Sequence, residues 1–147
     1  MYLLDVCFMK AVTIDQGETL VMAAQAMRTH NVNDVVVTRE NGRRTAPVGI
    51  VTDRDIVTRA VAEAEIDLSG LAVGDLLPDK PLILGAFTRI DDAVRRMGDE
   101  IVRRAPVVDA EGRLVGCVTL EGLLDAMLTS SKRGHWDQRE WTTLMEY

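Results

Sequence analysis

The sequence predicts a mixed α/β (α+β) fold of two β-α-β-β-α repeats related by a pseudo-two-fold axis, and three observations carry that prediction. The chain matches itself at a nearly constant offset. Within each copy, apolar residues at helical spacing alternate with β-branched runs. With 147 residues, 47% hydrophobic and 27% charged, the chain can bury a core without disulfide or metal staples.

The self-match orders the elements, because a repeat constrains every later assignment. At an offset of 70 residues Asp5-Val6 falls on Asp75-Leu76, Lys10 on Lys80, Leu20 on Ile90, Met27 on Met97, Val32 on Val102 and Gly42 on Gly112. The offset then becomes 67, so that Gly49-Ile50-Val51-Thr52 falls on Gly116-Cys117-Val118-Thr119 and Ile56-Val57 on Leu123-Leu124. The difference arises between residues 41–47 and 111–114, where a loop tolerates deletion.

In the first copy residues 11–14 read as a short leading strand. Residues 19–27 carry apolar side chains at helical spacing behind the break Gln16-Gly17, which predicts a helix of about three turns. The β-branched runs 35–38 and 48–52 flank Asn41-Gly42, the pattern of a hairpin with a long loop. Thr52 or Asp53 then caps a second helix over 54–63. The second copy repeats the order at 82–84, 91–100, 106–108, 116–119 and 122–128, after a Ser- and Gly-containing linker at 66–74. Residues 1–67 form the first repeat, 68–129 the linker and second repeat, and 130–147 a tail. That tail holds Trp136, Trp141 and Tyr147, half of the six aromatic residues. Trp141, Leu144 and Met145 are spaced for a helix over 137–146 that covers a second copy of the chain, docks elsewhere or packs on the parent domain, the last being favoured.

Composition narrows the function. Lys and Arg number 17 against 23 Asp and Glu, a net charge of −6, which argues against a general nucleic-acid binder and leaves only a local patch at Arg43-Arg44 and Arg103-Arg104. The two cysteines, Cys7 and Cys117, lie in apolar stretches outside any Cys-x-x-Cys pair, so no zinc site or disulfide framework is read. Cys117 reads as a buried, inert thiol. No apolar run approaches the ~18 residues of a membrane span, and residues 1–8 lack a basic start and contain Asp5, which makes a poor signal peptide. A cytoplasmic location is expected. His30 and His135 sit beside no nucleophile or tuned acid, and no Walker or Rossmann glycine pattern occurs, so no catalytic residue, metal site or catalytic cofactor is expected.

The opening pairs Asp5-Val6 and Asp75-Leu76, the run Ala105-Pro106-Val107-Val108-Asp109, and the segments Gly49-Ile50-Val51-Thr52-Asp53-Arg54-Asp55 and Gly116-Cys117-Val118-Thr119-Leu120-Glu121-Gly122 resemble the cystathionine-β-synthase (CBS) domain. CBS domains occur in tandem pairs called Bateman modules, and the resemblance spans residues 5–129. It implies a regulatory, energy-sensing module that binds an adenosine compound such as AMP, ADP, ATP or S-adenosylmethionine, forms a homodimer through its helices and signals to a protein partner.

The segment ending in Thr52 and Asp55 runs from a strand into a helix start, where free N–H groups and the helix dipole favour an anion. The resemblance assigns the Thr52 hydroxyl to the phosphate side and the Asp55 carboxylate to the ribose hydroxyls. Read structurally, Thr52 caps the helix and Asp55 complements its positive end. The resemblance also pairs Thr52 and Asp55 with Leu82, Ile83, Val102, Arg103, Arg104 and Pro106. A second, weaker cleft joins Thr119 to Val12, Thr13, Val32, Asn33 and Asp34, with Gly122 standing where the first copy has Asp55. Arg103 and Arg104 then add positive charge to the first cleft and Asp34 negative charge to the second, so one competent nucleotide site is expected. Read structurally, the two arginines are a solvated pair before a strand, and Pro106 is apolar wall. The rival reading is a structural dimerisation or partner-docking module whose clefts have decayed.

Overall fold

The structure, a computed structural model, describes residues 1–6, 9–42, 44–63 and 67–130. The first repeat runs β1 (Thr13–Asp15), α1 (Leu20–His30), β2 (Asp34–Asn41), β3 (Arg44–Thr52) and α2, which is regular over Asp53–Asp55 and winds as a π-helix over Ile56–Val61. The second runs β4 (Leu84–Gly85), α3 (Ile90–Asp99), β5 (Arg104–Val108), β6 (Leu114–Thr119) and α4 (Leu120–Ser130). Each unit forms a three-stranded sheet, ordered β1-β2-β3 and β4-β5-β6, with a parallel first pair and an antiparallel hairpin. The predicted α+β pair of repeats is the observed architecture. No helix among the described residues is long and apolar enough to cross a membrane.

The helices follow their local signals. Thr19 caps α1 by accepting the Met22 N–H at 3.2 Å, and Asn31 ends it in the left-handed region at φ 51°. Leu20, Ala23 and Met27 face the first core, and Ile90, Ala93 and Met97 of α3 face the second at the same spacing.

Two local predictions need correction. The strands of the first hairpin extend until Asn41 faces Arg44, so the predicted long loop contracts to a tight turn at Gly42, φ 66°. Ladder hydrogen bonds satisfy the backbone whatever side chains it carries, and they continue past the β-branched runs. The second correction is the π winding of α2, which the 3.6-residue period does not foresee. There the Thr58 hydroxyl donates to the Arg54 carbonyl at 2.7 Å and Arg59 Nη1 donates to the Leu76 carbonyl at 2.7 Å. The Thr58 bond back to a carbonyl of its own helix loosens regular winding, while the Arg59 bond ties α2 to the 3-10 turn at Val73–Leu76.

The cores do not follow the cut between residues 67 and 68. A 3-10 turn at Leu3–Asp5 places Leu3 in the second core, beside Leu84, Ile90, Met97 and Leu123. Its counterpart at Val73–Leu76 places Val73 and Leu76 in the first core, beside Ile14, Leu20 and Val51. Leu3 and Val73 are 70 residues apart, so each repeat is completed by the segment that precedes the other. The same contacts hold both turns. Leu3 and Leu4 N–H donate to the Thr88 and Ala86 carbonyls, and Val73 and Gly74 N–H donate to those of Glu18 and Gln16. Cys7, Arg43, His135, the aromatic cluster and the helix predicted over 137–146 lie outside the described residues.

Candidate functional site

β3 ends at Thr52, whose extended backbone (φ −104°, ψ 163°) turns the chain into α2. The Thr52 hydroxyl accepts the Asp55 N–H at 3.1 Å and donates to Asp55 Oδ2 at 2.9 Å, and the Thr52 N–H donates to the same oxygen at 2.9 Å. This is a closed capping box, so the structural reading of the two residues is realised and sets their geometry. At the matching turn Thr119 Oγ1 accepts the Gly122 N–H at 3.1 Å, and Gly122, in the place of Asp55, brings no carboxylate to close the box.

The two turns are joined through the strands beside them. Asp34, at the start of β2, faces Thr52 across the ladder, and Arg104, at the start of β5, faces Thr119. Asp34 and Arg104 are 70 residues apart and form an ion pair through Oδ2 and Nη1, with side chains 10% and 23% exposed. Thr52, Asp34, Arg104 and Thr119 therefore stand in one row across the boundary between the repeats.

That row corrects the expected charge asymmetry. The resemblance puts Arg104 and Asp34 in opposite clefts with opposing effects, whereas the structure neutralises each with the other. The pseudo-axis brings equivalent positions together, and opposite charges attract strongly where water is scarce. Arg103 is also paired, to Glu121 at 2.8 Å, but both of those side chains are exposed and such a pair contributes little.

The remaining predicted residues fall into two groups. Leu82 and Val102 pack against the second core, Val12 and Val32 against the first, and Pro106 is fully buried opposite Cys117. Ile83 is half-buried, while Thr13 and Asn33 are exposed. The approach to β4 lies against β3: a Cβ on Gly49 would fall 2.6 Å from Leu77 Cδ2 and 3.2 Å from Pro81 Cβ. Leu82 and Ile83 thus follow a segment seated on the strand that ends at Thr52. In the mirror arrangement, Met9 bridges to Cys117 of β6.

Sequence reasoning missed Met9, whose Sδ accepts from Arg104 Nη2 at 3.5 Å, and missed the Asp34–Arg104 contact. The signal for the latter was present, since opposite charges occupy matching positions of a two-fold repeat. Cys117 is 1% exposed, and burial pushes its thiol up to about 11, with Arg104 lowering it and Asp34 raising it to lesser degrees. The unfolded thiol ionises first, from its ordinary 9.0, so stability is retained below that pH and lost as pH rises toward 11. Between pH 8 and about 10.5, wild type is expected to lose about 2 kcal/mol more than Cys117→Ala in urea denaturation. Parallel losses would mean that Cys117 is accessible to water.

Among the described residues no three His, Cys, Asp or Glu side chains converge as a metal site requires. A CBS domain family model matches residues 5–62 and 73–129. Hypoxic response protein 1 of Mycobacterium tuberculosis is 36% identical over 106 residues, 72% of this chain and 71% of that protein. The crystal structure of Hypoxic Response Protein I with two coordinated zinc ions aligns at a TM-score of 0.73 and 31% identity, covering 86% of this chain and 98% of that one. Uncharacterized protein MK0525 of Methanopyrus kandleri is 31% identical over 113 residues, 77% of this chain, which spans only 56% of that protein's length. The crystal structure of CBSX2, a protein of Arabidopsis thaliana, in complex with AMP aligns at a TM-score of 0.69 and 28% identity, covering 89% of this chain and 98% of that one.

Proposed function

The chain belongs to the CBS domain family, and on that premise we propose that it is a regulatory module, not an enzyme, that binds an adenosine nucleotide or S-adenosylmethionine. The competent cleft is formed by Thr52 and Asp55 with Leu82, Ile83, Val102, Arg103, Arg104 and Pro106. The observation that carries this reading is the difference between the two strand-to-helix turns: a carboxylate at Asp55, none at Gly122. The AMP complex of CBSX2 supports the ligand class.

The chemistry follows from the turn. N–H groups at the start of α2 and the local dipole attract phosphate, and Asp55 exchanges the Thr52 hydroxyl for ribose hydroxyls. A ligand touching both repeats favours one relative orientation of the halves, which shifts the surface offered to a partner protein. We place the module in the cytoplasm as a homodimer. The closed Thr52–Asp55 box and the paired arginines favour a second reading, a docking module with decayed clefts.

Thermal unfolding with AMP, ADP, ATP and S-adenosylmethionine in turn separates the two. A ligand at a hundred times its dissociation constant adds about 2.7 kcal/mol, a rise of roughly 5–11 °C at this size. Asp55→Ala, compared with its own ligand-free midpoint because it also loses a cap, is expected to abolish that rise. Unmoved midpoints for all four compounds at millimolar concentration would leave the docking reading.

A further inference from the structure

We propose that Asp34 is a built-in counter-ion which a ligand's phosphate displaces from Arg104, so that Asp34 sets how far the first cleft prefers phosphorylated over unphosphorylated adenosine compounds. This rests on the nucleotide reading above and goes beyond it in naming what tunes the site.

Placement comes first. Asp34 faces Thr52 across the β2–β3 ladder, and residues so opposed have Cα atoms about 4.5–5.5 Å apart. The carboxylate therefore neighbours the turn whose N–H groups would take the phosphate. Left alone there, it would repel an anion. Paired with Arg104, it makes a neutral unit that neither attracts nor repels at long range.

The hydrogen bonding of the Arg104 guanidinium is incomplete. Nη1 donates to Asp34, Nη2 reaches only the Met9 sulfur at 3.5 Å, and Nε is buried with no acceptor among the described residues. Thioether sulfur is a weak acceptor, and a buried donor left open is unfavourable. Among the described residues Arg104 thus has no oxygen acceptor on two of its three nitrogens. A phosphate supplies several oxygens in the forked geometry that a guanidinium prefers. Binding of a phosphorylated ligand then exchanges one anionic partner for another at Arg104 and leaves Asp34 to find water or a neighbouring donor. An unphosphorylated nucleoside requires no exchange.

Titration calorimetry of the full chain with adenosine and with AMP tests the exchange through the ratio of their dissociation constants. Asp34→Asn keeps the shape and removes the competing charge, and it is expected to raise the preference for AMP over adenosine about tenfold. Asp34→Asn/Arg104→Gln removes both charges without stranding either, and is expected to lower that preference about tenfold below wild type. Circular dichroism confirms the fold of each variant. Should Asp34→Asn not fold, Arg104→Gln is compared with the double variant, and a lower AMP preference in Arg104→Gln, which leaves the Asp34 charge unpaired, is the expected result, equal ratios overturning the inference. An unchanged ratio in the folded variants overturns the inference and leaves the nucleotide reading intact. Wild type that binds neither compound overturns both.

Discussion

Leu3→Ala is expected to lower stability by about 2–5 kcal/mol, because it empties a fully buried position. Here the side chain is 0% exposed within the second core, and the N–H groups of Leu3 and Leu4 donate to the Thr88 and Ala86 carbonyls at 2.9 and 2.8 Å. The Tyr2 N–H closes the turn on Asp5 Oδ2 at 2.8 Å. Losing the side chain leaves a cavity between Leu84, Met97 and Leu123 that neighbours on one sheet and two helices cannot collapse into freely. The unfolding midpoint should fall by roughly 4–20 °C. A loss near the ±0.5 kcal/mol typical of surface sites would mean that the N-terminal turn does not pack in solution.

The second large effect is at the boundary between the repeats. Asp34→Ala is expected to cost about 3 kcal/mol, the lower end of the range for stranding a buried charge, because the Arg104 side chain keeps 23% exposure. Without Asp34 the guanidinium would retain only the Met9 sulfur among its described partners. The double variant Asp34→Asn/Arg104→Gln should stay within about 1 kcal/mol of wild type, since desolvation of a buried pair offsets most of its attraction. Chemical denaturation of Asp34→Ala, Arg104→Ala and the double alanine variant completes a cycle, and strong non-additivity is the expected sign of direct coupling. Additive losses would show that the two side chains act independently.

Locality separates what was readable from what was not in the candidate site. Thr52 and Asp55 were legible because a capping box needs only residues three apart. The loss of the second carboxylate was legible as Gly122, by the offset alone. The destination of Arg104 was not: its charge and its place before β5 were plain, but its counter-ion lies 70 residues away on the other repeat. The resemblance places Leu82 and Val102 in the first cleft, and the structure packs both against the second core, since an apolar residue two positions before a strand can serve both.

The sequence by itself determined the repeat, the order of elements and the faces of the helices, because Leu20, Ala23 and Met27, like Ile90, Ala93 and Met97, are set by a period written within a few turns. Only the tertiary structure decided that Leu3 completes the second core and Val73 the first, and that Asp34 meets Arg104. Periodicity states that a side chain is to be buried and charge states that it seeks an opposite. Neither states which of two nearly identical surfaces it reaches, and that choice is made by packing across the pseudo-axis, where equivalent positions of the two repeats are forced into contact.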